Sequence, residues 1–346
     1  MRENPVLVKV NRGNWVENIH RGAFCVIDKN NNIIASVGNI EQEIFPHSAI
    51  KPIQALALFE SGAVEKFSLS DKEIVLACSS HYGENHHIEV IEEFLRKIEC
   101  SASDLECGTH IPYGKQTRDE YFLDRKIPKS VYCNSSGKHV AMLAIAKALG
   151  EKTENYLNPS YGVQRLVKSC TEMLVGYHLD DNSLEIDNCS MPTYAISLRS
   201  FALAFAKMSY GENLPSKIKK GAAIIFDTMV KYPDLLRAKE VMDSNIMRAF
   251  YGNLVIKAGN DGVIFGVLRD KNYGIAIKID DGNMNVARVV IANLLSKLMK
   301  GNHEMQDKLL FLFGSEIIKN AARIETGKYL VVDSVFDELG GNLQDN

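Results

Sequence analysis

The chain has 346 residues, a hydrophobic fraction of 46%, a charged fraction of 24% and a formal net charge of −3. It is long enough to bury a sizeable core, and its charge supplies no basic field for nucleic acid. No apolar run reaches the length of a bilayer span, and Met1 to Asn18 lacks the apolar stretch of a signal peptide. A cytoplasmic protein without nucleic-acid or membrane partners is therefore expected. The cysteines are Cys25, Cys78, Cys100, Cys107, Cys133, Cys170 and Cys189. None forms a C-x-x-C pair, which argues for reduced thiols rather than a zinc ribbon or redox motif.

In chain order, Gly22–Asp28 and Ile33–Val37 are β-branched runs around the Asn-rich Lys29–Asn32, which predicts a hairpin. Ile74–Ala77 reads as a strand or buried segment, and His86–Ile98 carries one apolar helical face. Val140–Leu149 and Phe201–Met208 are apolar almost all round and predict buried helices. Leu254–Ala258, Val263–Leu268 and Gly274–Ile279 predict an antiparallel meander, with the helix Ala287–Met299 after it. A helix over Lys308–Ala322 and a strand over Tyr329–Val332 follow. The expected class is α+β, a single domain over 1–346. Strands near 5–40 and 250–346 would close into one antiparallel sheet, with a mostly helical part over about 45–250. Two separate domains in sequence are the alternative.

Five constellations bear on chemistry. Ser48 and Lys51 stand three apart before Pro52, which fits only the first turn of a helix. They share a face at a helix N-terminus, where a serine alkoxide is stabilised and a buried lysine loses its proton more easily. That pairs a nucleophile with a base, although a capping serine with a solvated lysine gives the same spacing. Cys78-Ser79-Ser80-His81-Tyr82-Gly83-Glu84 precedes a helix and offers a second hydroxyl, or else a capping turn. Asn134-Ser135-Ser136-Gly137-Lys138-His139 leads into a buried helix, either as backbone N–H donors for an anion or carbonyl or as a cap. Lys138 there needs a partner. Lys257-Ala258-Gly259 at a strand end resembles the lysine element of penicillin-recognising serine enzymes, or is a plain strand-end lysine. In Asp187-Asn188-Cys189, Asp187 suits a substrate amine and Cys189 a soft metal, unless the segment is only a turn with a buried cysteine.

Together these motifs resemble the Rhizobium-type L-asparaginases, the asparaginase II family, from roughly Val8 to Asp281. The resemblance rests on Glu17 with His20-Arg21-Gly22, on Pro46-His47-Ser48-Ala49-Ile50-Lys51-Pro52 and on Ser80-His81 with Gly83-Glu84. Ser136-Gly137-Lys138-His139, Asp187 with Cys189, and Leu198-Arg199 continue it. Lys257 with Gly259 and Gly262, and Ile277-Lys278-Ile279-Asp280-Asp281-Gly282, complete it.

The resemblance implies hydrolysis of L-asparagine to aspartate and ammonia, a fold similar to serine β-lactamases and glutaminases, and a homodimer. It makes Ser48 the nucleophile with Lys51 as base, and pairs Ser80 with Lys257. His47, His81, Gly83, Glu84, Gly137, Lys138 and Asp187 stand around the substrate, and Lys138 with Cys189 at a zinc site. No cofactor is required by this reading. The family's third zinc ligand is a cysteine where this chain has Ser135, a poor zinc ligand, and His47 stands where the family often has arginine. The runner-up functions are hydrolysis of another small amide, glutamine or a β-lactam, and amino-acid binding without catalysis.

Overall fold

The computed structural model describes residues 3–125, 127–239, 241–299 and 301–337. The fold is α+β, and the chain divides into two compact units. The first comprises Met1–Ile44, Ile196–Ala206 and Ala258–Asn346; the second comprises Phe45–Ala195 and Lys207–Lys257. Among the described residues no helix is long and apolar enough to cross a membrane.

The first unit is organised by an antiparallel sheet drawn from both ends of the chain. β1 (Val6–Arg12) pairs with β2 (Trp15–Ile27) on one side and with the strand Glu325–Val331 on the other. β2 does double service. Its first half pairs with β1, while Gly22–Ile27 pairs with Tyr273–Ile279 and, on the opposite edge, with β3 (Ile33–Val37). Gly22 marks the change, because a Cβ there would sit 2.5 Å from the Lys278 carbonyl oxygen. Helix Leu198–Tyr210 contributes Phe201, whose ring stacks on Phe265 at 4.4 Å. Helix Met284–Leu298 starts where the Asn283 side chain accepts from the N–H groups of Asn285 and Val286.

The expected hairpin, the predicted strands Val263–Leu268 and Gly274–Ile279 and the sheet drawn from both ends are present, but three readings need correction. β1 and the first half of β2 were missed, although Val6, Val8 and Val10 alternate. The outer half of β2 is exposed, with Trp15, Val16 and Ile19 broken by Glu17 and Asn18, so no regular alternation announced its partner. Ile74–Ala77 is the buried segment and not the strand of the two readings: it ends a helix, Asp71–Ala77, closed at its start by a Ser70/Glu73 capping box that the apolar run alone concealed. The helix expected over Lys308–Ala322 runs instead over His303–Phe313. Asn302 caps its start, and Ile317–Lys319 is a strand because Glu325–Val331 offers it a ladder.

The second unit is helical. The chain enters it through a 3₁₀ turn, His47–Ile50, and two short helices, Lys51–Gln54 and Leu56–Glu60. At its centre lies helix Ser136–Leu149, buried from Ser136 to Ala146, which accounts for its apolar composition all round. This helix meets the end of helix Asp71–Ala77 at Gly137, where a Cβ would lie 2.3 Å from the Leu76 carbonyl oxygen. Strand Leu254–Ala258 brings Lys257 to the end of the unit. The backbone contact at Gly137 cannot yield as a side chain does. Gly137→Ala should therefore destabilise the protein by about 1–3 kcal/mol. Chemical denaturation would check this, and an unchanged midpoint would contradict the packing role.

Candidate active site

All the candidate site residues lie in the second unit. At the centre are two fully buried lysines and one hydroxyl. Ser80 Oγ lies 3.2 Å from Lys51 Nζ and 2.9 Å from Lys257 Nζ. Lys51 Nζ also donates to the Ser79 carbonyl at 2.5 Å and to Ser135 Oγ at 3.1 Å. The local fold explains the convergence. Helix Asp71–Ala77 ends at Cys78, which leaves the Ser79 carbonyl outside the helical ladder. The segment after it is pinned by Ser80 N–H to the Leu236 carbonyl and Tyr82 N–H to the Arg237 carbonyl. Ser135 stands at the N-cap of the central helix.

Burying two ammonium groups around one hydroxyl perturbs both. Burial, with Lys138 nearby, pulls the Lys51 pKa down to about 8. Burial first, then the charges of Lys51 and Arg237, hold Lys257 well below the ordinary lysine range. Both lysines thus give up a proton more readily than an exposed lysine does. Arg237, which sequence reasoning missed, is itself half-buried and forms an ion pair with the buried Asp243 at 2.6 Å. An arginine and an aspartate six residues apart in sequence carry no pattern that announces such a pair.

Ser48 is half-buried in the 3₁₀ turn, and among the described residues its hydroxyl makes no hydrogen bond. No hydrogen bond joins it to Lys51, whose three donors go to Ser79, Ser80 and Ser135. His47, immediately before it, has a left-handed backbone with φ of 48°, which costs a non-glycine residue about 1–2 kcal/mol. His47 Nδ1 lies 3.4 Å from Asp187 Oδ1.

Asp187 anchors a second cluster. Its other oxygen faces Lys138 Nζ at 3.6 Å and accepts from Cys189 Sγ at 3.5 Å. Burial works to raise the Asp187 pKa, but His47, Lys138 and the Asn188 N–H outweigh it and hold the carboxyl below its ordinary range. Burial likewise works to lower Lys138, yet Cys189 and Asp187 outweigh it and raise its pKa. Ser135, Lys138 and Cys189 do not fit zinc. A protonated lysine has no lone pair to give, the serine hydroxyl is a weak ligand engaged with Lys51, and one thiol does not make a zinc site.

The remaining candidates have other employment. His81 Nε2 lies 2.9 Å from Ser136 Oγ, and its Nδ1 accepts the Gly83 N–H, so both nitrogens hold the loop closed. Gly83 has φ of 72°, the left-handed region that glycine allows. Glu84 caps helix Asn85–Lys97 together with His87 and lines a cavity of about 750 Å³ with Tyr82, Tyr113 and Lys115. Ser48, Lys51, Ser80 and Lys257 do not line that cavity. Among the described residues, the one group of three close metal-ligating atoms is Glu84, His86 and His87. Capping accounts for it, since His87 Nδ1 accepts the Glu84 N–H and its Nε2 binds the Asp234 carbonyl. Sequence reasoning also missed His110, which accepts the Asn134 N–H at 2.9 Å beside Ser135. The seven cysteines are unbridged.

Asp187 ties pH to stability. Its pKa is depressed in the folded protein, so its contribution is present above about pH 4, the ordinary aspartate range, and is lost as pH falls toward the folded value. Asp187→Asn should lower stability at pH 7 by about 3 kcal/mol or more, since Lys138 is left buried without its anion, and should flatten the acid limb. Urea midpoints of both proteins between pH 7 and pH 2 check this. Parallel curves would contradict it.

Comparisons with known proteins bear on the family. No curated protein matches the chain. Among solved structures it is similar to Mglu in its native form in 4.3 M NaCl, at 13% identity and TM-score 0.42, covering 79% of this chain and 59% of that one. The chain thus spans 59% of the length of Mglu. It is also similar to a putative beta-lactamase from Bacteroides dorei, at 12% identity and TM-score 0.40, over 74% of this chain and 84% of that one. A beta-lactamase from Mycobacterium bovis matches at 14% identity and TM-score 0.40, over 84% and 94%. Likenesses this distant carry no weight for the chemistry. The family profile described as L-asparaginase II, in contrast, matches residues 8–331, nearly the whole length. The chain therefore belongs to the L-asparaginase II family.

Proposed function

We propose that the protein is an L-asparaginase that hydrolyses the side-chain amide of L-asparagine through a serine acyl-enzyme. The observation that carries this reading is Ser80 Oγ held between two buried lysines of lowered pKa, one of which, Lys51, stands three residues from Ser48. Ser48 attacks the amide carbon, its proton passes to Lys51, and backbone N–H groups beside Ser48 hold the oxyanion. Ser80, between Lys51 and Lys257, relays a proton to the departing ammonia. Water then cleaves the ester, releasing aspartate. Asp187, an anion held in a half-open cluster beside His47, receives the substrate α-amino group.

A second reading of the nucleophile has its own support. Ser80, not Ser48, is the hydroxyl bonded to lysines, so Ser80 could attack with Lys257 as base. Acid quenching during turnover, followed by peptide mass mapping, separates the two. An aspartyl ester on Ser48 supports the first assignment and one on Ser80 the second.

Ammonia release from L-asparagine, with L-glutamine in parallel, tests the substrate. Ser48→Ala should lose roughly a thousandfold or more in turnover, and retained activity would remove Ser48 from the mechanism. The pH profile has a definite sign. The base is neutral Lys51, so kcat/KM should rise with pH through about 8 and level off above it. A profile flat from pH 6 to 9 would exclude Lys51 as the base.

A further inference from the structure

The corner built from Ser135, Lys138 and Cys189 has its charge supplied from within. Lys138 is an ammonium clamped by Asp187 at 3.6 Å, and the Cys189 thiol donates to that same carboxylate. Ser135 turns the other way. Its buried hydroxyl lies 3.1 Å from Lys51 Nζ and donates to Asn134 Oδ1 at 3.2 Å. Lys51 is fully buried, and its three hydrogen-bond partners are the Ser79 carbonyl and the hydroxyls of Ser80 and Ser135.

Those partners differ in kind. A carbonyl only accepts, whereas a hydroxyl both accepts and donates. Three acceptors suit an ammonium. When Lys51 loses a proton, one partner must turn round and donate to the new lone pair. The Ser79 carbonyl cannot do so, and Ser80 is shared with Lys257. Ser135 can switch by giving up its long bond to Asn134, without disturbing the second lysine. A cysteine there would hold Lys51 poorly in either state, because a thiol is a weak donor and a weak acceptor.

We propose that Ser135 is a positioning residue, which holds Lys51 Nζ in place through both of its protonation states, and that it does so in place of ligating a metal ion. Lys138 supplies as a fixed ammonium the positive charge that a divalent cation would otherwise bring to this corner. The kinetic part of the proposal rests on the amidohydrolase reading above. The metal part does not, since it needs no substrate.

The experiment uses the full chain in three forms, wild type, Ser135→Ala and Ser135→Cys, each stripped with a chelator. Zinc chloride is titrated into each by calorimetry, and steady-state kinetics with L-asparagine are run without metal. The expected wild-type result is no one-to-one zinc binding, with turnover unaffected by the chelator. Both variants should lose about tenfold to a hundredfold in kcat with KM within about twofold, as expected for a displaced base. Ser135→Cys keeps the shape of serine with a slightly larger atom in place of the hydroxyl oxygen, and urea midpoints equal to wild type would separate a lost kcat from a packing defect, whether or not Ser135→Ala folds. One-to-one zinc binding by the wild type that disappears in Ser135→Ala would overturn the proposal. Wild-type kcat in Ser135→Cys would overturn it as well. If L-asparagine is not turned over by the wild type, the zinc titration alone decides the metal half.

Discussion

Three lysines lie buried within one helical unit: Lys51 at 0%, Lys138 at 1% and Lys257 at 2% exposure. Removing an ammonium from water costs several kcal/mol after relaxation, so each must be paired, caged or deprotonated. The unit uses all three solutions. Lys138 pairs with Asp187, Lys51 takes a carbonyl and two hydroxyls, and Lys257 is held well below the ordinary lysine range. Each solution constrains the next, because Lys138 lowers Lys51 and Lys51 lowers Lys257. A cost carried in this way is hard to account for as packing. It is the expected signature of a site that needs a neutral amine near neutral pH.

The groups that meet the lysines come from places where regular structure stops. Ser79 and Ser80 follow the end of one helix, Ser135 caps another, and Asp187 sits in a turn after a short strand. Free carbonyls and hydroxyls occur at such breaks because the helical ladder has released them. The helices fix the breaks in space. The close approach at Gly137 sets the central helix against the Leu76 carbonyl, three residues before Ser79, and so ties Ser135 and Lys138 to the Ser79–Ser80 segment. Gly137 acts on the site through backbone packing.

The sheet unit follows a different logic. Its strands come from both ends of the chain, and β2 serves two ladders by changing partners at Gly22. Several residues of the family pattern lie here rather than at the lysines. His20 Nδ1 lies 2.5 Å from Asp281, Asn4 reaches Asp280, and Arg199 binds Asn31 and Glu41. These bonds join segments up to 276 residues apart, which explains why motif residues so distant in sequence belong together.

By itself the sequence determined what depends on neighbours along the chain. Apolar periodicity marked the buried helices and the strands at both ends, and Pro52 fixed Lys51 to the first turn of a helix. Residue type decided that Ser135 is a poor zinc ligand, and the order of motifs carried the family. Only the tertiary structure decided which hydroxyl the lysines hold. Ser48 and Lys51 are three apart in sequence and look like a pair, yet Lys51 turns to Ser79, Ser80 and Ser135. Arg237 and His110 stayed invisible for the same reason. Burial and the proximity of charges are properties of the packed chain, and they set a lysine's proton affinity through separations that no spacing in the sequence records.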